Sequence, residues 1–396
     1  MRLRFRAALI VFLFLFFTAG LSWWFSRPPV GGPLHLTPAA FADLPDWSGG
    51  DPRPALAAFR RSCAALAARP ANTSMGTYAG TAADWREPCR AASQSAPDAA
   101  AARAYFEHWF APLSVGAGEL RDGLFTGYYE PQLRASRTRH GRYQTPVYGL
   151  PADLVTVDLG AFRDALSGER ISGRVQGHRL VPYATRAEID AEGLETAPML
   201  FFCDDAVAVF FLHIQGSGRV RFDDGTTARV AYAGENGRRY TAIGRTLIAQ
   251  GALARDEVSL QSIRAWLRAH PGPARAVMEN DASFIFFRES PVGDPALGSP
   301  GAENVALTPG ASIAVDARIH PLGAPFFVAT DLPDSGKRLR RLFVAQDIGG
   351  AIRGPVRADI FWGFGAGAEL LAGRMKQTGR LFVLLPKPVA ARLAQR

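Results

Sequence analysis

Cysteine and histidine, which supply most zinc and transition-metal ligands, are scarce in this chain of 396 residues, with three and seven copies. None of them has the spacing of a metal-binding motif. The sequence also lacks the G-x-S-x-G elbow of serine hydrolases, the phosphate-binding P-loop and the H-E-x-x-H pattern of zinc peptidases. We therefore expect neither a metal ion nor a cofactor.

The three cysteines are Cys63, Cys89 and Cys203. In an oxidising compartment Cys63 and Cys89 could pair and leave Cys203 buried and free. Three unrelated core thiols fit the sequence equally well, so both possibilities stay open.

Acidic residues are outnumbered, and the formal net charge is +9 with a pI of about 9.9. A basic surface attracts polyanions such as nucleic acid, anionic lipid or acidic glycan. No zinc-finger spacing or basic stripe along a helix is present, so nucleic acid is not an expected partner. The 48% of hydrophobic residues, with 40 glycines and 28 prolines, predict a globular and β-rich protein.

One long apolar run occurs, over residues 7–25, behind three arginines at positions 2, 4 and 6. Its length nearly spans a bilayer, and the arginines should stay in the cytoplasm, so the remaining chain is exported. We expect residues 1–27 to be an uncleaved inner-membrane anchor and residues 28–50 to be a linker. A cleaved signal peptide is the alternative; without a nearby cysteine, a lipoprotein is excluded.

Helical spacing of apolar residues predicts helices over the segments 54–69, 98–113, 241–250 and 259–270. Thr185 and Glu188 form a capping-box pattern, and residues 223–225 predict a hairpin turn between strands 218–222 and 227–231. Further strands are predicted over 206–214, 283–288, 312–315, 326–330, 342–346, 360–361 and 381–385. His213, alone in the apolar run 206–214, is interpreted as structural.

Three aspartates stand at the ends or edges of apolar segments in the last third of the chain: Asp316, Asp347 and Asp359. A poorly solvated carboxyl has a raised pKa, which suits a proton donor. Any one of them alone fits a turn former that bonds nearby backbone amides. All three, beside Gly-Gly and Trp, favour a site.

Three other segments have side chains suited to a sugar. Tyr128 and Tyr129 lie in FTGYYEP, and their rings could stack on sugar faces. Gln215 and Ser217 lie in HIQGSG, where two glycines permit close approach of a ligand. Ser283 lies in NDASFIFF. A strand edge, a tight hairpin and a capped buried strand are the respective structural alternatives.

Taken together and in order, these motifs resemble those of the membrane-bound lytic murein transglycosylase A family. The motifs are FTGYYEP, PYATRAEI, FFLHIQGSGRV, NDASFIFF, LTPGASIAVD, PLG and QDIGGAIRGPVRADIFWGFG. The resemblance, over about residues 95–386, implies a mainly β fold with some α. A double-psi β-barrel would comprise 51–126 and 255–396, with a three-aspartate part over about 305–386. A second, smaller β-barrel would be inserted over 127–254, with a groove between the two.

The resemblance also implies an activity: cleavage of the β-1,4 bond between N-acetylmuramic acid and N-acetylglucosamine in peptidoglycan, with formation of a 1,6-anhydro ring. Asp359 matches the catalytic acid, Asp347 a supporting carboxylate and Asp316 the first of the three aspartates. The positions expected to bind the glycan strand are Thr126, Tyr128, Tyr129, Gln215, Ser217, Ser283 and Asp316. The alternatives are a hydrolase of the same fold and a non-catalytic murein-binding module. The expected location is the periplasm, where other cell-wall enzymes are possible partners.

The sequence departs from that family in two places. It has no lipid-attachment cysteine, although the best-known members are lipoproteins. The stretch 293–304 is also longer than expected before LTPG.

Overall fold

The computed structural model describes residues 32–95, 98–166, 169–290, 293–333 and 335–395. The expected anchor over residues 1–27 lies outside these ranges. Within them, no helix combines the length and apolar character needed to cross a membrane.

The described residues form seventeen strands and ten α-helices. The strands in chain order are β1 Leu34–Pro38, β2 Phe110–Ala117, β3 Asp122–Glu130, β4 Gln132–Ser136, β5 Thr145–Tyr148, β6 Val155–Asp158, β7 Arg170–Gln176, β8 Arg179–Pro182, β9 Met199–Cys203, β10 Ser217–Phe222, β11 Thr227–Glu235, β12 Ile285–Ser290, β13 Ser312–Val315, β14 Pro325–Asp331, β15 Arg338–Ile348, β16 Arg357–Phe364 and β17 Lys376–Pro386. The helices are α1 Arg53–Ala67, α2 Ala82–Gln94, α3 Ala99–Trp109, α4 Arg186–Glu192, α5 Ala206–Gln215, α6 Ile243–Ala249, α7 Leu260–Ala269, α8 Pro271–Glu279, α9 Ala366–Arg374 and α10 Lys387–Ala394.

The first sheet has the order β1-β2-β17-β14-β15-β13-β16-β3, and β17 pairs with β3 as well. The strands β17, β14, β15, β13, β16 and β3 therefore close into a six-stranded ring, the expected double-psi β-barrel. Strand β17 reaches both neighbours because its first half pairs with β3 and its second half with β2. Residues 34–50 differ from the expected linker: β1 pairs with β2 along its whole length, and Trp47 is buried in the core.

Helices α1, α2 and α3 cover one side of this barrel with a group of aromatic side chains. Phe59, Trp85, Phe106 and Phe110 are fully buried and contact one another edge to face or tilted. The helix expected to run to residue 113 ends at Trp109, because Phe110 begins strand β2. A Cys63–Cys89 disulfide joins α1 to α2, and Cys203 is buried and free.

The second barrel has the strand order β12-β11-β10-β4-β9-β5, and a bridge between Gly149 and Phe287 brings its two ends together. Because β12 pairs with β11, this barrel takes in residues up to 290. The boundary expected at residue 254 would instead place strand β12 in the first barrel. The hairpin of β10 and β11 agrees with its prediction, as does the Thr185 capping box at α4.

The strand predicted over residues 206–214 is wrong, because these residues form helix α5. Asp205 caps its first turn by accepting a hydrogen bond from the Ala208 amide, and Gly216 ends it with φ of 77°. The helix is buried on most sides, so its sequence shows no helical alternation of polar and apolar residues. It packs against α6, α7 and α8, while β6, β7 and β8 form a separate small sheet.

Candidate active site

Two of the three aspartates are brought into line across neighbouring strands of the first barrel. Asp359 on β16 pairs with Ala314 on β13, and Ala314 also pairs with Asp347 near the end of β15. With strands spaced about 4.8 Å apart, the two aspartate Cα atoms lie about 10 Å from each other. On its other side, Asp359 pairs with Thr126 on β3.

The carboxyl of Asp359 is held by a short chain of hydrogen bonds. The Thr126 hydroxyl donates to Asp359 Oδ1 at 2.5 Å, and Arg357 donates to the same hydroxyl at 2.9 Å. Burial raises the pKa of Asp359, although the Arg357 charge and the Thr126 hydrogen bond act to lower it. The net effect favours a neutral carboxyl, the form that donates a proton.

Asp347 is held by two different donors. The Tyr128 hydroxyl donates to its Oδ2 at 2.8 Å, and the backbone N–H of Ala302 donates to its Oδ1 at 3.0 Å. Burial raises the pKa of Asp347, although the hydrogen bonds from Tyr128 and from the backbone act to lower it. Since Thr126 and Tyr128 are two residues apart on β3, their side chains lie on one face of the sheet, where they hold the two aspartates.

A β-bulge in β15 sets the direction of Asp347. Ile313 pairs with Ala345 and the next residue, Ala314, pairs with Asp347, so Gln346 is the extra residue. A bulge re-aims the side chains beside it, and bulges are frequent next to active sites. The Gln346 side chain is fully buried, whereas Asp347 is partly exposed.

The third aspartate, Asp316, lies outside this group. Its carboxylate is fully buried and accepts hydrogen bonds from Arg318 at 2.8 and 2.9 Å and from the Gly354 amide at 3.0 Å. Burial alone would raise the pKa of Asp316, but these hydrogen bonds and the Arg318 charge lower it overall. Asp316 is thus an ion-paired residue that ties two loops together, with no exposed atom for a ligand.

The other positions named from the sequence lie where the two barrels meet or inside the second barrel. Gln215 at the end of α5 accepts a hydrogen bond from the Tyr129 amide at 2.9 Å, and Ser217 begins β10 beside it. The Tyr129 ring is buried, and its hydroxyl accepts from Arg264 at 3.0 Å. Ser283 is 8% exposed and precedes β12.

Two groups in this site were not named from the sequence. Arg357 stands two residues before Asp359 on one strand, and this spacing could have revealed it. The Ala302 amide carries no sequence signal, because any residue but proline has a backbone N–H. Among the described ranges, no cluster of three or more His, Cys, Asp or Glu side chains is arranged to hold a metal.

Two protein-family models match this chain. The model described as "MltA specific insert domain" matches residues 124–288, and the "3D domain" model matches residues 311–385. The first range contains Thr126 and Tyr128, and the second contains all three aspartates.

A curated relative is the membrane-bound lytic murein transglycosylase A of Escherichia coli K12. It is 33% identical over 284 residues, which cover 69% of each chain. The chain belongs to the membrane-bound lytic murein transglycosylase A family. It is therefore a lytic murein transglycosylase, as the order of its motifs had implied.

Solved structures of this family share the fold. A membrane-bound lytic murein transglycosylase from Agrobacterium tumefaciens has a TM-score of 0.79 at 32% identity, covering 90% of this chain and 99% of that one. The E. coli MltA with bound chitohexaose has a TM-score of 0.63 at 26% identity, covering 91% of this chain and 99% of that one. The expected pair of β-barrels is thus confirmed for this transglycosylase.

Proposed function

We propose that this chain cleaves the β-1,4 bond between N-acetylmuramic acid and N-acetylglucosamine and leaves a 1,6-anhydromuramic acid end. Asp359 acts first as the acid and then as the base. The observation that carries the proposal is the environment of Asp359. The residue keeps some exposure to solvent, yet its surroundings are buried enough to raise the pKa of its carboxyl, and the Thr126 hydroxyl orients that carboxyl.

The hydrogen bonds around Asp359 indicate which oxygen carries its proton. Arg357 can only donate, so the Thr126 hydroxyl accepts from it and must use its own hydrogen toward Asp359 Oδ1. The acidic proton therefore belongs on Oδ2. In the part of the chain that the structure describes, no other group hydrogen-bonds Oδ2, so it is open to a glycosidic oxygen.

The reaction then needs no enzyme-bound water. Asp359 gives its Oδ2 proton to the bridging oxygen as the C1–O bond breaks. The resulting carboxylate takes the proton of the C6 hydroxyl as that oxygen bonds to C1 and closes the anhydro ring. One carboxyl thus serves as acid and base, whereas ordinary glycosidases use two.

Asp347 suits a supporting role better than the activation of water. Tyr128 and Ala302 donate hydrogen bonds to its two oxygens and hold the carboxyl in place, and its raised pKa lowers the fraction of the carboxylate form that a base requires. Its dipole and its partners can stabilise positive charge that develops at C1. A hydrolase of this fold would require Asp347 to act in its carboxylate form as the base that activates a water.

The charge of the chain fits the same substrate and location. Murein carries lactyl and peptide carboxylates, and a protein with a net charge of +9 attracts them. Residues 1–31, outside the described structure, include the apolar run expected to anchor the enzyme in the inner membrane. Thr126, Tyr128, Tyr129, Gln215, Ser217 and Ser283 remain the proposed contacts to the glycan.

The deciding experiment is mass spectrometry of murein sacculi digested with the wild type and with Asp359→Asn. We expect anhydro ends from the wild type and a loss of at least about 1000-fold in rate for the variant. Reducing ends would identify a hydrolase. Full-rate release of anhydro ends by Asp359→Asn would refute the assigned role of Asp359.

A further inference from the structure

A buried line of polar groups runs underneath Asp347. The Thr308 amide donates to Ser312 Oγ at 2.8 Å, and Ser312 donates to Gln346 Oε1 at 2.5 Å. Gln346 Nε2 donates to Ser62 Oγ at 2.9 Å, and Ser62 donates to Glu303 Oε2 at 2.5 Å. None of these five residues is more than 9% exposed. We call this line the buried polar chain.

All hydrogens in the buried polar chain point the same way. The Ser312 and Ser62 hydroxyls each accept from one neighbour and use their only hydrogen toward the next. The line therefore ends on an acceptor, Glu303 Oε2. The other oxygen, Glu303 Oε1, is buried without a hydrogen-bond partner within the described residues. Such an arrangement favours a neutral Glu303 with its proton on Oε1, since an unpaired buried charge is costly.

Two members of this line, Gln346 in its middle and Glu303 at its end, are connected to the site beside the β-bulge. Gln346 is the bulge residue directly before Asp347, and its carbonyl accepts from the Glu303 amide at 3.0 Å. Ala302, directly before Glu303, donates its N–H to Asp347. The next residue, Asn304, has the left-handed φ of 60°, so this turn needs outside support.

From this geometry we propose that Glu303 is a positioning residue of the transglycosylase reaction. By closing the buried polar chain at Ser62, it holds the 301–304 turn against β15 and keeps the Ala302 amide on Asp347. The inference rests on the proposed function, in which Asp347 supports the chemistry at Asp359.

Ionisation of Glu303 near neutral pH would place a negative charge beside the unpaired, buried Oε1 and so disturb the packing of the 301–304 turn. Burial raises the pKa of Glu303 to about 7, while the hydrogen bond from Ser62 and the charge of Arg69 act to lower it. The surrounding elements carry other charged or titratable side chains, namely Arg53, Arg60 and Arg61 on α1, Arg338, Arg340, Arg341 and Asp347 on β15, and His320 before the turn at residue 323. Burial lowers the pKa of His320 to about 4, so it stays neutral where Glu303 titrates.

The test is the pH dependence of kcat for Glu303→Gln, measured as release of anhydro ends from sacculi between pH 5 and 9. Glutamine accepts from Ser62 but cannot ionise. We expect kcat to equal that of the wild type at pH 5.5 and to exceed it by roughly threefold to tenfold at pH 8.5, with KM unchanged, because small displacements of catalytic groups cost rate. A ratio that is constant with pH would overturn the proposal.

Glu257→Gln is the matched control, because this glutamate is exposed and outside the site. Its profile should follow that of the wild type. Thermal melting at each pH verifies that every variant is folded. If Glu303→Gln fails to fold, Ser62→Ala decides. It removes the link between Glu303 and the buried polar chain, so kcat should fall at every pH, and loss of the hydrogen bond that lowers the Glu303 pKa should move the alkaline fall of kcat to higher pH.

A Ser62→Ala profile that superimposes on the wild type contradicts the proposal. The two hypotheses fail separately. If the wild type releases no anhydro ends at any pH, the proposed function is wrong. If it does, and the Glu303→Gln ratio is flat, only the role of Glu303 is wrong.

Discussion

Arg219 of the second barrel donates a hydrogen bond of 2.8 Å to Glu130, the last residue of β3 in the first barrel. Glu130 is fully buried and also accepts from the hydroxyl and the amide of Ser299. The Arg219 guanidinium lies 3.4 Å from the ring centre of Phe364 on β16. This ion pair joins the two barrels at the point where the chain crosses between them.

Removal of one partner of this ion pair should destabilise the protein strongly. We expect Glu130→Ala to lower the free energy of unfolding by about 3–5 kcal/mol, because Arg219 would be left as a largely buried, uncompensated charge. Urea denaturation measures the change. Glu87→Ala, which breaks an exposed ion pair with Arg90, should cost at most about 1 kcal/mol. Equal losses in the two variants would contradict the importance of the buried pair.

Thr126→Val should change both the rate and the pH dependence of catalysis. The variant keeps the shape of the side chain but loses the hydroxyl that orients Asp359, so we expect kcat to fall roughly 10-fold to 100-fold. The lost hydrogen bond lowers the Asp359 pKa in the wild type. Its removal therefore raises that pKa, and since the protonated acid is the active form, the alkaline limb of the kcat profile moves to higher pH.

Thr126→Ser retains the hydroxyl and is the control for this experiment. Its alkaline limb should coincide with that of the wild type. A limb that moves to lower pH in Thr126→Val would mean that the hydroxyl does not stabilise the Asp359 carboxylate.

Gly127, between Thr126 and Tyr128, has no room for a side chain. A Cβ atom there would lie 2.6 Å from Trp362 Nε1 and 2.9 Å from the Ala372 backbone. We expect Gly127→Ala to destabilise the protein by about 1–3 kcal/mol, as overpacking does, and to lower kcat by moving β3. Gly350→Ala is the control, because a Cβ there meets no atom within 4 Å. The unfolding temperature and the turnover of sacculi should both be lower for Gly127→Ala and should stay at the wild-type level for Gly350→Ala.

Protein stability should fall as pH rises toward neutrality because of Glu303. In the unfolded chain this carboxyl loses its proton near pH 4.5, whereas in the native protein its pKa is about 7. Between these values only the native state holds the proton, so stability decreases with pH by up to about 3 kcal/mol. Glu303→Gln should remove that part of the decrease, measured by urea denaturation from pH 4 to pH 8. An unchanged slope would contradict the raised pKa.

Local sequence signals predicted the elements whose ends are marked by turn and cap residues. The turn over residues 223–225 and the Thr185 capping box both appear as expected. Helix α5 was missed because its apolar residues face the interior on most sides and leave no helical period. There the Asp205 cap and Gly216 were the better signals.

The site itself could be predicted only in part. Asp347 and Asp359 stood out because each lies at the end or edge of an apolar segment, and their shared partner Ala314 could not be seen without the strand register. Asp316 shows the same sequence context, but its carboxylate accepts hydrogen bonds from Arg318, two residues further on, and from the Gly354 amide, a contact that depends on the tertiary fold. The bulge at Gln346 and the amide of Ala302 arise from tertiary packing alone.

The Cys63–Cys89 disulfide lies next to the residues that support the candidate active site. Cys63 directly follows Ser62, which is part of the buried polar chain, so the covalent link to α2 also steadies the support of Asp347. Such bonds persist outside the reducing cytosol. In the proposed periplasmic location, this bond therefore gives the support of Asp347 a covalent link that a reducing compartment would not maintain.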